Sequence, residues 1–284
     1  MKQRRAFTLV ELLVAAMIVA VVGGGAVSAL YAFFNLVWRL EDMATAYQRG
    51  EMVFSILERA IFHAGLGMPD DRNGFQNAFK ISATYPKIAS WDGPVSVKDG
   101  RLRLVYAVST SCAAKGFYDV PGGVAVEVEF EKDLPLDQIF AGKGNVGNLK
   151  SWVTFTASRQ PFFVERVIDS RALDLRSSGF GHIAKNDKLC LVRAIEAYAM
   201  SNFFYIEDVT VGSGSQPVVE GVAGAEFEYD SDKGILTVVL LCRGAKRHDR
   251  EVSAKKPPLW EAEISGEDRH YRLIAAKKAW RIRN

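Results

Sequence analysis

Glu11 is the side chain whose position most demands a chemical explanation. Lys2, Arg4 and Arg5 precede it, and beyond it the chain from Leu12 to Trp38 runs for about 27 positions without a charge, more than the roughly 20 residues that cross a bilayer as a helix. A carboxylate inside such a run costs roughly 2.5 to 3.5 kcal/mol on insertion scales, so it marks a function and requires a partner. In a low-dielectric setting that partner must be a cation held close.

Other residues with reactive side chains carry less. Gly142-Lys143-Gly144-Asn145-Val146-Gly147 has the spacing of a dinucleotide-binding loop, but such a loop works only between a strand and the start of a helix. The residues that follow, Asn148 to Thr156, read as loop and then strand, so no helix N-terminus is expected to face a phosphate. His63, His182, His248 and His270 are far apart and never share metal-ligand spacing with a cysteine or a second histidine, so no metal is expected. Gly212-Ser213-Gly214-Ser215 lacks the spacing of a nucleophile elbow and reads as a turn-rich linker. Asp70, Asp71 and Asn73 offer oxygen ligands, yet they follow a helix stop and read as solvated loop. No catalytic residue and no cofactor emerge.

The elements that must position Glu11 are legible. The uncharged run predicts a membrane helix, softened at Gly23, Gly24 and Gly25, since each glycine costs about 1 kcal/mol relative to alanine in a helix. Past Trp38, Met43, Tyr47, Val53 or Phe54, Leu57 and Ile61 recur every three or four positions among charged residues, which predicts an amphipathic continuation to about Ala64. Gly65, Gly67 and Pro69 then stop it. From Phe79 onward β-rich runs predominate: 101–108, 124–131, 152–156, 162–168, 189–194, 203–211, 225–229, 235–241 and 271–274. In the run from Val124 to Phe130 the valines are expected to face inward and Glu127 and Glu129 outward. The fold class is α+β, a long N-terminal helix packed on an antiparallel β-sheet domain.

Arg4-Arg5-Ala6-Phe7-Thr8-Leu9-Val10-Glu11 resembles the class III signal of type IV pilins and type II secretion pseudopilins. The resemblance implies cleavage between Ala6 and Phe7 by a prepilin peptidase, methylation of the new Phe7 amine, and retention of the helix as membrane anchor and later filament core. It places Glu11 at the family's acidic position, where a neighbouring subunit's Phe7 ammonium would set the register of assembly. The family usually has glycine before the cut; Ala6 departs from it but is small. His63-Ala64-Gly65-Leu66-Gly67 and the ending Trp280-Arg281-Ile282-Arg283-Asn284 resemble, more weakly, PilW-type minor pilins and minor pseudopilin J.

The implied organisation is a leader at 1–6, a membrane and filament-core helix at 7–38, its amphipathic continuation at 39–64, and an extracytoplasmic β-rich domain at 65–284. Implied partners are other pilin-like subunits, the prepilin peptidase and methylase, the inner-membrane assembly platform and, before assembly, the membrane. Of the formal charge of +3, the leader's Lys2, Arg4 and Arg5 account for all, and they orient the N-terminus to the cytoplasm. Net charge therefore does not point to nucleic acid. Arg243, Lys246, Arg247, His248, Arg250, Lys255 and Lys256 form a basic loop able to contact DNA or acidic lipid, although no aromatic interleaves it before Trp260 and it reads as a solvated hairpin loop. Cys112, Cys190 and Cys242 leave at least one thiol unpaired within a monomer, with Cys190 and Cys242 in strand-like runs and a bridge from Cys112 to either still open.

Two other functions compete with a structural subunit: a pilus-tip binding module for DNA, surface or exported substrate, and a membrane-anchored envelope enzyme, for which no constellation exists. Two other readings of the N-terminus are an uncleaved signal anchor and a secretory signal cut near Val27-Ser28-Ala29.

Overall fold

The computed structural model describes residues 8–132, 139–140, 148–210, 212, 214–253 and 255–282. Helix α1 runs from Leu9 to Phe62. Its 54 residues span about 81 Å at 1.5 Å per residue. It passes through Gly23, Gly24 and Gly25 without a break, and Ser28 Oγ–H donates to the Gly24 carbonyl at 2.9 Å. The glycine triplet is thus regular helix in the isolated chain.

A second, short helix, α2 (Arg72–Ala78), follows the turn. Strands β1 (Val95–Lys98), β2 (Arg101–Ala113), β3 (Tyr118–Val120), β4 (Ala125–Glu129) and β5 (Trp152–Phe155) come next. They are followed by β6 (Phe162–Asp169), β7 (Ala172–Arg176), β8 (Gly181–Ile183), β9 (Lys188–Met200) and β10 (Phe203–Asp208). The last four are β11 (Ser215–Glu220), β12 (Val222–Asp230), β13 (Ile235–Arg243) and β14 (Leu273–Arg281). Among the described residues these strands pair antiparallel throughout, as expected, and one isolated bridge, Gly122 to Ser177, is parallel.

Strand β9 is the spine of the largest sheet. One edge pairs with β2, and β1 extends beyond it. Its other edge is shared: Leu189 to Leu191 pair with β5, and Ile195 to Met200 with β10. From β5 the sheet continues through β6 and β7 to β4, while β11 lies outside β10. Strands β12, β13 and β14 form a separate sheet, and β3 and β8 a small ribbon.

This division gives the head two ends. The core beneath the outer half of α1 joins Val53, Phe54, Leu57 and Ile61 to Leu102, Leu104, Val222, Leu236 and Leu240. The core around Phe130, Phe155, Phe162, Leu173 and Leu175 contains no residue of α1. A third cluster lies to the side, where Phe79 contacts Phe75 at 5.3 Å and Trp152 at 4.9 Å between ring centres. Each such fully buried aliphatic or aromatic side chain contributes about 1.5–3 kcal/mol of transfer free energy.

Several expectations need correction. The inward stripe of the outer helix begins with Asp42, Ala46 and Gly50, not with Met43 and Tyr47, which are 39% and 55% exposed. The cause is close approach: a Cβ on Gly50 would stand 3.0 Å from Ala276 Cβ, leaving no room for large side chains. In β4, Val128 is buried and Glu127 and Glu129 are exposed, but Val124 lies outside the strand and is exposed. The last strand extends to Arg281 rather than Ile274, because Ala275 to Arg281 pair with β13 despite their helix-favouring Ala-Lys composition. Ser215, read as linker, opens edge strand β11, which tolerates Pro217. Strands β3, β7 and β8 carry too few β-branched residues in alternation to be legible, and β1, Val95-Ser96-Val97-Lys98, alternates but is only four residues long.

The chain leaves α1 through a bend that admits only glycine. Gly65 and Gly67 have φ of +76° and +71°. A Cβ on Gly67 would overlap the Thr154 hydroxyl, which donates to the Gly67 carbonyl at 2.7 Å. Ala64 bridges to Tyr106, so the helix end is stitched directly to β2. Gly67→Ala is expected to destabilise the head by about 2–3 kcal/mol through backbone strain and overpacking, read as a lower thermal midpoint. An unchanged midpoint would contradict this account of the turn.

The three cysteines are thiols, all buried, in β2, β9 and β13. The bridge left open from Cys112 is not formed. Burial pushes the Cys190 thiol up to about 11 and the Cys242 thiol up to about 12, from an ordinary value of 9.0. A thiol reagent at pH 8 is expected to label these two only after denaturation. Because folding raises both values, their contribution to stability is complete below the unfolded-state value and is lost as pH rises through the folded ones.

Candidate functional site: the projecting helix and its junction with the head

The first half of α1 projects from the head. No residue from Thr8 to Glu41 is buried, and Asp42 is the first that is. The projecting part holds a window of mean hydropathy 2.3, which makes α1 long and apolar enough to cross a membrane.

At its start, Thr8 and Glu11 form a capping box. Glu11 N–H donates to Thr8 Oγ1 at 3.3 Å. In return, Glu11 Oε2 accepts from the Thr8 amide at 3.0 Å and from its hydroxyl at 3.1 Å. Two amides that lack helical partners are satisfied reciprocally, and the carboxylate is held over the positive end of the helix dipole. Glu11, expected to wait for a partner in another subunit, thus has a local one in Thr8. The Thr-x-x-Glu spacing before an apolar run was the available signal. All three bonds fall on Oε2 or the Thr8 hydroxyl, and among the described residues Oε1 accepts none. Lys2, Arg4, Arg5, Ala6 and Phe7 lie outside the described residues.

At the other end of the projecting segment, α1 is clamped to the loop after β13. Asp42 Oδ1 accepts from the Lys246 amide at 2.9 Å. Its Oδ2 stands 3.6 Å from both His248 Nε2 and Arg272 Nε. One face further along, the Arg49 guanidinium donates to the carbonyls of Arg243 and Gly244 at 2.8 and 3.0 Å. Gly244 is required beside this clamp, because a Cβ there would overlap the Asp42 carboxylate. Further up, the Phe54 ring meets Trp280 edge-on at 5.7 Å, and Glu58 accepts from Lys278 at 3.2 Å. Neither Asp42 nor Arg49 was singled out from sequence, where each looked like one charge among several on a solvated helix face.

The basic loop joins the antiparallel strands β13 and β14 and exposes Lys246, Arg247, Arg250, Lys255 and Lys256, as a solvated hairpin loop should, but several of its charges are engaged. The half-buried Arg243 is paired with the buried Asp268, and Arg247 meets Glu267 at 3.0 Å. Its start is bound to α1.

The remaining candidates disperse. His63 caps α1, His182 lies 2.7 Å from Asp119, and His270 Nδ1 lies 3.0 Å from the His248 carbonyl oxygen. Among the described residues no three His, Cys, Asp or Glu side chains converge on one point. Asp71 caps α2 through the Gly74 amide at 2.6 Å. The Gly-rich 142–147 segment lies outside the described residues, and so does Ser213. Gly212 has a φ of +66°, and Ser215 Oγ accepts from Tyr198 at 2.7 Å.

Residues 1–27 match the family described as the prokaryotic N-terminal methylation motif. No curated protein and no solved structure matches the chain. The match reaches the signal and the start of the helix but not the PilW or pseudopilin J subgroup. The chain thus carries a type IV pilin signal that runs without interruption into the helix on which its α+β head is built.

Proposed function

We propose that this chain is a minor pilin or pseudopilin, a non-enzymatic structural and assembly-priming subunit of a type IV pilus or type II secretion pseudopilus. The observation that carries the reading is the methylation motif at residues 1–27 leading into one helix that is bare as far as Glu41 and packed into the head from Asp42. A bare apolar helix about 50 Å long needs a membrane or the apolar helices of neighbours to cover it.

In this reading residues 1–6 are a cytoplasmic leader, 7–38 the anchor in the bacterial inner membrane and later the filament core, 39–64 the amphipathic half, and 65–284 a periplasmic head. Prepilin peptidase cuts between Ala6 and Phe7 and the new amine is methylated. The assembly platform then extracts the subunit, and apolar contact with other pilin-like subunits drives packing. The carboxylate of Glu11 compensates the Phe7 ammonium of a neighbour and so sets the register. Gly23, Gly24 and Gly25 are where the helix yields first on packing. The large head suits a minor position better than an abundant shaft subunit.

N-terminal sequencing with intact-mass measurement tests the processing step. A mature chain beginning at methylated Phe7 is expected. A chain beginning at Leu30 or retaining Met1 overturns the reading.

A further inference from the structure

The foot of the head carries charges that the filament reading does not use. Beyond the end of the β12–β14 sheet, the loop from Gly244 to Val252 runs against residues 269–272. Gly244 N–H donates to Arg272 O at 2.7 Å, His248 N–H to His270 O at 2.8 Å, and Val252 N–H to Arg269 O at 2.8 Å. This strip crosses α1 where the uncharged run ends. Lys246 Nζ stands 5.7 Å from the centre of the Trp38 ring, and Trp38 is 53% exposed. Arg39 follows at once in the chain.

Trp at the end of an apolar span is the residue that seats at a membrane–water boundary. With Trp38 at that boundary, the Lys246 contact and the Asp42 clamp place the 244–252 strip at headgroup depth. Arg39, Lys246 and Arg250 are exposed there, and among the described residues none of the three has a carboxylate within ion-pair distance. Lys255 follows, exposed and likewise without such a carboxylate. Glu41 and Asp249 are the acidic residues left in the same condition, and they are outnumbered. Arg247 is held by Glu267, and Glu251 lies 3.9 Å from Arg269.

We propose that this foot is a docking surface for anionic phospholipid headgroups, which hold the head against the bilayer before the subunit is extracted. The inference rests on the reading of α1 as a membrane anchor. DNA is the less favoured polyanion, because the strip is pinned to α1 at the bilayer boundary and, among the described residues, the half-buried Tyr271 ring is already covered by Arg243 at 4.8 Å, which leaves Trp38 as the exposed aromatic. Each basic side chain near an anionic surface strengthens binding about fivefold, an effect that salt screens.

The test uses the full chain in nanodiscs of phosphatidylcholine alone or with one third phosphatidylglycerol, with hydrogen–deuterium exchange followed in peptides covering 244–252. Exchange is expected to slow by about tenfold in the anionic discs, to recover in high salt, and to show no such slowing in a K246Q/R250Q double variant. Equal exchange in both discs overturns the docking surface while leaving the anchor reading intact. A chain that inserts into neither disc overturns both. Protection of the strip by duplex DNA in neutral discs, without any response to phosphatidylglycerol, assigns the surface to nucleic acid and overturns the proposal.

Discussion

Glu11→Gln is expected to leave membrane insertion intact and to reduce incorporation into filaments by roughly tenfold to a hundredfold, the value of a charge-assisted contact. The amide keeps an oxygen that can accept from the Thr8 amide, so the capping box survives in weakened form and the helix start persists. What the substitution removes is the charge that would compensate a neighbour's ammonium. Thr8→Ala is the control. It should weaken the cap by about 1 kcal/mol, yet it leaves the carboxylate and should reduce incorporation far less. Measured as the fraction of membrane-inserted subunit recovered in sheared filaments, equal incorporation of E11Q and wild type would refute the register role. Equal loss in both variants would show that the carboxylate acts through the helix cap alone.

Asp42→Ala should loosen the junction between the outer helix and the head. It deletes the acceptor of the Lys246 amide and the carboxylate facing Arg272 and His248 at a site where the Asp42 side chain is 6% exposed. Removing the buried carboxylate leaves the Lys246 amide without its acceptor and the half-buried Arg272 guanidinium without its counter-charge. Because the contacts with Arg272 and His248 are long at 3.6 Å, the cost is placed at about 2–4 kcal/mol. For a head of this size that lowers the thermal midpoint by roughly 5–10 °C. Asp42→Asn keeps an acceptor for the amide and should lose less. Proteolysis should reach the loop after β13 earlier in D42A than in wild type. A variant that melts and resists protease like the parent would show that the clamp is incidental.

Much of this molecule is legible before folding because its signals are local. The helix from the signal to the turn follows from a charge-free run and a 3.6-residue period. Most of the long strands follow from alternating or β-rich runs, as in Arg101 to Val108 and Ile235 to Leu241. The strands that escaped are those whose conformation comes from a partner. Ala275 to Arg281 would suit a helix by composition and is a strand because β13 offers it a ladder. The inward face of the outer helix was misjudged for a related reason: hydrophobicity nominated Met43 and Tyr47, whereas the spacing to β13 and β14 selects Ala46 and Gly50.

Sequence alone therefore determined the class of the N-terminal signal, the projecting helix, the α+β composition and the identity of Glu11 as the exceptional charge. Each depends on residues adjacent in the chain or one helical turn apart, where backbone geometry and transfer free energy suffice. Only the tertiary structure decided where the charges of the outer helix and the basic loop go. Asp42 and Lys246 are separated by 204 positions, and no local pattern announces such a pair. It exists because β13 delivers the loop to the helix at the point where the apolar run ends. That placement makes the start of an otherwise solvated hairpin loop the clamp between the projecting helix and the head.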